Sequence, residues 1–440
     1  MRRLLSILVA LLFVLTAVAQ TSVRKDIDEH PELAVTSLSP YGAPYFFKPI
    51  AEAPKGYKPF YISHYGRHGS RHEAHKKNVM PVVDLFDRAD NMGLLTAKGK
   101  EMKAYLHKMA DAHENRYGEL TRLGFEQHKG IARRMYNRFT PVFYRGAIVE
   151  SRSSIYGRCA LSMAAFNESL KECEPMLETR MSASDADKDK VRPSMAFLKD
   201  PRYQGVYIDS EEYWAKQLNK WLEKQDFSHS INSLFTNIEP MLGNYNGSSA
   251  YLMIDLYKRL GAMQNLGWYD RTLVDSIFSA DERYIVYLYE NYRWYCRYAT
   301  TSVENGYKRF DRIKGVVNDI ISHANEAIEG KNSAVANLRF GHDYYLLALL
   351  AILNCNEHPS DLDISDVEKL TEKWNAYKVV TMASNVQFVF YRSKKEADIL
   401  VRILENENDI TLPIGSATAP FYKWSDVCDY LQKRVSLISE

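Results

Sequence analysis

One recurrence constrains this chain more than any other feature: a short apolar run, a loop, then a helical pattern, met three times. "FYISHY" leads through Gly66 and Gly69 into helical patterns over about 79 to 113 and 122 to 139, "GAIVES" leads into a helix near 155 to 170, and "AVANLRFG" leads into the apolar helix "YYLLALLAIL". Strand, loop and helix in alternation predict a parallel sheet with crossover helices packed on it. "NVQFVFYR" and "DILVRILEN" read as a pair of closing strands, with "DITLPI" as a short third. Between the second and third units, long helical stretches such as "EEYWAKQLNKWLEKQ" and "ERYIVYLYENYRWYCRYATT" carry few strand signals. The predicted fold class is α/β, a mainly parallel central sheet flanked by helices. Residues 20–171 and 331–440 are expected to form that domain, with an α-rich cap domain inserted at 172–330.

The N-terminal "MRRLLSILVALLFVLTAVAQ" sets Arg2 and Arg3 before an apolar run and closes with Ala17-Val18-Ala19, the three-part pattern of a secretory signal peptide. Residues 1–19 are expected to be removed and the mature protein exported, to the periplasm or beyond. The apolar run is short for a membrane span and no cysteine stands near the cleavage point, so no stable membrane anchor is expected. Arg2 and Arg3 supply the whole net charge of +2. A neutral mature chain gives no electrostatic reason to bind nucleic acid. Cys159, Cys173, Cys296, Cys355 and Cys428 are too few for a disulfide framework in 440 residues and contain no C-x-x-C pair, though one or two bridges stay open.

The sharpest question is posed by "YISHYGRHGSRHEAH", residues 61–75, where His64, His68, His72 and His75 fall at helical spacing. Four imidazoles on one helical face could hold zinc. Against this, Gly66 and Gly69 each disfavour helix by about 1 kcal/mol relative to alanine, and the preceding residues read as strand. Arg67 and Arg71, moreover, cannot lose their charge and would sit beside a dication. Two arginines and a glycine around one histidine suit a phosphoryl group instead. Guanidinium forks bind phosphate oxygens in pairs, and a strand end before a helix N-terminus offers free N–H groups. A neutral imidazole is a competent nucleophile for phosphoryl transfer. No metal or other cofactor is then expected. His64, His72 and His75 are left as pocket-rim or surface residues, with His72 the one expected to reach substrate.

Arg67-His68-Gly69-Ser70-Arg71 resembles the R-H-G-x-R signature of the histidine acid phosphatases, which include phytases and multiple inositol polyphosphate phosphatases. Three further stretches are similar to that family's in chain order: "GELTRLG", "ESRSSIYGRCALSMAAF" and "LRFGHDYYLLALLAIL". The resemblance implies that His68 is the nucleophile, that Arg67, Arg71, Arg158 and His342 bind the phosphate, and that Asp343 is the general acid, with Arg152 supporting the loop. Asp343 also reads as a plain helix N-cap. The two uses conflict, because a helix N-terminus favours the ionised carboxylate whereas an acid must be protonated; bound phosphate would raise its pKa, which implies an acidic optimum.

"LRFGH" and the tail from "ASNVQFVFYR" to "ITLPI" look most like the multiple inositol polyphosphate phosphatase branch. Two places depart from it: His342-Asp343-Tyr344 stands where that branch carries His-Ala-Glu, and His72-Glu73 where it carries an aromatic residue and proline. The implied activity is that of an exported phosphomonoesterase acting on small-molecule esters, with inositol polyphosphates a candidate substrate. A non-catalytic phospho-ligand- or metal-binding exported protein, and a phosphotransferase or mutase of the same superfamily, are the other readings. Oligomeric state is left open.

Overall fold

The computed structural model describes residues 23–42, 48–191, 212–245, 247–303, 310 and 313–437, so the stretch 1–19, read above as a signal peptide, lies outside the described residues. Its centre is a sheet of β1 (Tyr57–Arg67), β2 (Ile148–Ser153), β3 (Glu178–Ser182), β4 (Ala334–Gly341), β5 (Asn385–Ser393), β6 (Leu400–Glu405), β7 (Asn408–Ile410) and β8 (Phe421–Lys423). The order is β3-β2-β4-β1-β5-β6-β7, with β8 also beside β6. The three strand-loop-helix units supply β1, β2 and β4, which with β3 form the parallel half. The closing strands add an antiparallel half. β3, "ETRMS", has no apolar run and lies largely exposed at the sheet edge, so nothing in its sequence marks it as strand. It carries the sheet past residue 171, into the stretch read as helical insert.

The pairing of β1 with β4 runs from Ile62 beside Ala336 to Arg67 beside Gly341. Because the two strands end together, the residues that follow, His68 and His342, leave the sheet side by side. Both faces of β1 are buried, as is usual where helices cover a parallel sheet. Tyr61 and Tyr65 join one core, and Ile62 joins the other with Val149, Phe166, Leu338 and Phe340. His64 follows the same alternation. Expected at the pocket rim or surface, it is instead 1% exposed, with its ring 5.4 Å from Phe166 and 5.3 Å from Phe340. Strand periodicity overrides its polarity.

The longer helices are α1 (Met80–Asn91), α2 (Ala97–His113), α3 (Arg122–Arg138), α4 (Gly157–Cys173), α5 (Tyr213–Leu222), α6 (Ser249–Ala262), α7 (Ala280–Trp294), α8 (Lys314–Ile328), α9 (Asp343–Leu353) and α10 (Trp424–Ser436). The pattern read over 79 to 113 splits in two at Gly93, which has φ +70°, and at Thr96, whose side chain caps α2 by accepting from Gly99 N. α5, α6 and α7 share a continuous core with α1, α2 and α9. Helical packing there is close: a Cβ on Gly261 of α6 would lie 2.3 Å from Cγ1 of Val35. No described helix is long and apolar enough to cross a membrane. All five cysteines are free thiols, so neither of the bridges left open by the sequence forms.

Candidate active site

The loop after β1 is tied down through Ser70. Its N–H donates to Gln127 Oε1 at 2.8 Å, its hydroxyl accepts from Gln127 Nε2 at 2.9 Å, and its carbonyl accepts from Thr121 N at 2.9 Å and Thr121 Oγ1 at 3.1 Å. Two glycines permit this approach. A Cβ on Gly69 would lie 2.5 Å from the Gly124 carbonyl oxygen, and one on Gly124 would lie 2.3 Å from that of Ser70. "GELTRLG" therefore serves the loop directly: Thr121 caps α3 and holds Ser70, while Gly124 clears the space.

Arg67 is buried, with Nη1 donating to the carbonyls of Ser37 (2.6 Å) and Val380 (2.8 Å) and Nη2 paired with Asp343 Oδ2 at 2.8 Å. Burial draws its pKa down and Asp343 opposes the shift. His68 is fixed by its backbone on both sides, its N–H donating to the Gly341 carbonyl at 3.0 Å and its carbonyl accepting from Ala383 N at 2.9 Å. Its ring Nδ1 lies 2.9 Å from the Gly69 carbonyl. A carbonyl only accepts, so Nδ1 carries the proton and Nε2 has its lone pair free. Burial, then Arg67, Arg158, Arg71 and His342, hold the His68 pKa well below the usual histidine value, so the imidazole is neutral.

Arg71 donates from Nη1 to the His72 carbonyl at 2.8 Å, and burial lowers its pKa to about 10. Arg158 stands in the first turn of α4 with its guanidinium 4.7 Å over the Tyr156 ring. The buried Nε atoms of Arg67, Arg71 and Arg158 have no hydrogen-bond partner among the described residues. Such a cluster of desolvated guanidinium groups calls for an anion.

His342 caps α9, its ring centroid 5.7 Å from that of His68 and stacked 7° from parallel on Tyr344, also at 5.7 Å. Ser154 Oγ lies 3.1 Å from its Nε2, and the Cys159 thiol donates to the Gly341 carbonyl at 3.3 Å. Asp343 opens α9 and its Oδ1 accepts from Tyr344 N at 2.9 Å. Burial pushes the Asp343 pKa up, but Arg67, His342 and Arg71 together outweigh it, so the carboxyl lies below its ordinary range and is ionised.

The structure thus brings Arg67, His68, Arg71, Arg158, His342 and Asp343 to one end of the parallel strands, their C-terminal ends, where α/β folds place ligands. Arg152 lies apart from them, on β2 among Glu150 (3.6 Å), Asp187 (3.5 Å) and Asp319 (3.9 Å). The four histidines disperse: His64 enters the core, His68 the pocket, and His75 solvent. His72, expected to reach substrate, is 3% exposed with its Nδ1 3.1 Å from Nδ1 of His113. The loop turns back toward α2 after Arg71, carrying His72 into the wall. Sequence reasoning missed Ser154 as the partner of His342, and missed Glu73, which is buried and paired with Arg259 of α6. Ser154 stood inside a motif, but only a buried acid after Arg71 could have signalled a distant cation.

A neutral imidazole with one free nitrogen, ringed by guanidinium groups and facing a carboxyl on a helix N-terminus, is equipped for phosphoryl transfer, and this fold and site define a histidine-type acid phosphatase. The chain belongs to the histidine phosphatase superfamily, branch 2, whose family profile matches residues 66–406, from the phosphate loop to the end of β6. No curated protein sequence matches it. Solved structures that share its fold include the multiple inositol polyphosphate phosphatase of Bifidobacterium longum. In complex with phosphate that protein is 18% identical, with 91% of this chain and 98% of that one covered at a TM-score of 0.68. In complex with inositol hexasulfate it covers 90% and 96% at 18% identity and a TM-score of 0.67. The phytase of D. castellii is 13% identical, with 92% of this chain and 86% of that one covered at a TM-score of 0.66.

Proposed function

We propose that the protein is an exported phosphomonoesterase that works through a phosphohistidine on His68, and that inositol polyphosphates are among its substrates. One observation carries the covalent step: the Gly69 carbonyl holds the Nδ1 proton, which leaves Nε2 as the nucleophile inside the arginine cluster. The ester phosphate is bound by Arg67, Arg71, Arg158 and His342. Nε2 attacks phosphorus in line, the bond to the ester oxygen breaks, and Asp343 gives its proton to the departing alcohol. Water then loses a proton to Asp343 and attacks phosphorus; the N–P bond breaks, its electron pair returns to the imidazole, and inorganic phosphate leaves. Support for inositol polyphosphates comes from the folds shared with a multiple inositol polyphosphate phosphatase and a phytase. Support for export comes from the residue 1–19 pattern.

The test uses wild type and His68→Ala in excess chelator, with p-nitrophenyl phosphate and inositol hexakisphosphate as substrates. Wild type is expected to keep its activity in chelator, to be trapped on acid-free quenching as an acid-labile, base-stable phosphoenzyme, and to release phosphate from both esters. H68A is expected to do none of these. Activity in H68A, or loss of wild-type activity to chelator, refutes the phosphohistidine route; failure on the inositol ester alone refutes that substrate class.

A further inference from the structure

Glu73 stands two residues past Arg71 in the phosphate loop and is 4% exposed. Its carboxylate is held at both ends. Oε1 pairs with Nη1 of Arg259 on α6, 186 positions along the chain, and Oε2 accepts from Ala74 N at 3.3 Å and Asn78 Nδ2 at 3.4 Å. Arg259 is itself 6% exposed, and its Nε lies 3.4 Å from Asp255 Oδ1. Among charged neighbours, Glu73 acts most strongly on Arg71, ahead of Arg67, Arg158 and Asp343. It keeps Arg71 charged against burial, yet no ion pair joins the two side chains among the described residues.

A buried carboxylate two positions along the loop from a phosphate-binding arginine, and facing it as its strongest charged neighbour, is a competitor for it. Deleting one partner of a buried pair leaves the other charge uncompensated, and that charge seeks the nearest opposite one. After Arg259, the cation that acts most strongly on Glu73 is Arg71, whose single side-chain hydrogen bond among the described residues goes to a backbone carbonyl. An Arg71 turned onto Glu73 has fewer donors for phosphate. We infer that Arg259 is a positioning residue: by binding the Glu73 carboxylate it leaves Arg71 to the phosphoryl group, so that the helical insert sets the phosphate affinity of the loop. This rests on Arg71 being a phosphate ligand.

The experiment compares wild type, R259M, E73Q and the R259M/E73Q double variant. Orthophosphate binding is measured by calorimetry, KM and kcat with p-nitrophenyl phosphate, and Tm by thermal unfolding. R259M is expected to weaken phosphate binding and raise KM about tenfold, with kcat changed less, because an unpaired buried carboxylate competes for Arg71. Adding E73Q is expected to bring both values back to within about threefold of wild type by removing that competitor. A double variant as impaired as R259M overturns the inference, since Arg259 would then act through packing alone; so does an R259M that binds phosphate as tightly as wild type. Should R259M not fold, R259Q, which likewise removes the cation, takes its place under the same two criteria. A wild type that binds no orthophosphate removes the underlying reading of Arg71, and shows this before any variant is compared.

Discussion

A single backbone carbonyl, that of Gly69, decides which nitrogen of His68 carries the proton and which keeps its lone pair. The matching decision at Asp343 is made by Arg67. Their 2.8 Å ion pair helps to keep the carboxyl ionised. A phosphate competes for Arg67 and adds negative charge beside the carboxyl, and both effects raise its pKa toward that of a proton donor. Turnover is therefore expected to fall as pH rises through the Asp343 pKa of the complex. D343N is expected to lower kcat on alkyl phosphates by about 10²- to 10⁴-fold, the usual worth of general acid catalysis. The loss on p-nitrophenyl phosphate should be much smaller, because its leaving group needs little protonation; equal losses on both would remove Asp343 as the donor. His68, the three arginines, His342 and Asp343 were all legible because each lies in a short stretch with a family resemblance. His72 misled because the direction of a loop after its motif is not written in the motif.

Between elements, the phosphate loop and α3 meet through glycine backbone with no room for a side chain. G124A places a methyl group where the Ser70 carbonyl oxygen stands, 2.3 Å from the new Cβ. Overpacking of this kind costs about 1–3 kcal/mol and shifts backbone. Here the backbone that yields is the loop carrying His68 and Arg71, so G124A is expected to raise KM as well as lower Tm, whereas a wild-type KM would show that the loop does not depend on this contact. Elements with a strong period were legible for the same reason that they form: apolar runs in β1 and β4 are buried on both faces, and β2 alternates between buried and half-buried residues. β3 was not, since an edge strand with a polar, half-exposed face has no apolar signal to read. Nor was the burial of His64, because an imidazole in a strand carries the polarity of a surface residue and the position of a core one.

Over the whole molecule, the contacts that join distant segments were the least legible. Arg259, in "YKRLGA", has the sequence of a solvated helix face, and only the fold brings it to Glu73. The same long-range burial sets an acid limit on the fold. His64 and His128 are held down to about 3, by burial first and for His64 also by His128 and Arg339; His113 and His358 are held down to about 4, again chiefly by burial. In the unfolded chain each takes a proton near pH 6.5. Between that value and the folded pKa the unfolded state binds more protons, so the stability these groups contribute is complete above about pH 6.5 and declines as pH falls. An enzyme with an acid optimum thus gains a proton donor and loses fold stability on the same side of neutrality. His64 isolates the effect: its Nδ1 has no hydrogen-bond partner among the described residues, so H64L removes a titrating group without breaking a bond there. At pH 5 a neutral buried histidine with so low a pKa accounts for about 2 kcal/mol of the decline from neutral pH. Denaturant unfolding at pH 7 and pH 5 is expected to show H64L losing less stability than wild type by about that amount, and an unchanged difference between the two pH values would mean that His64 is already protonated, or shielded, in the folded protein.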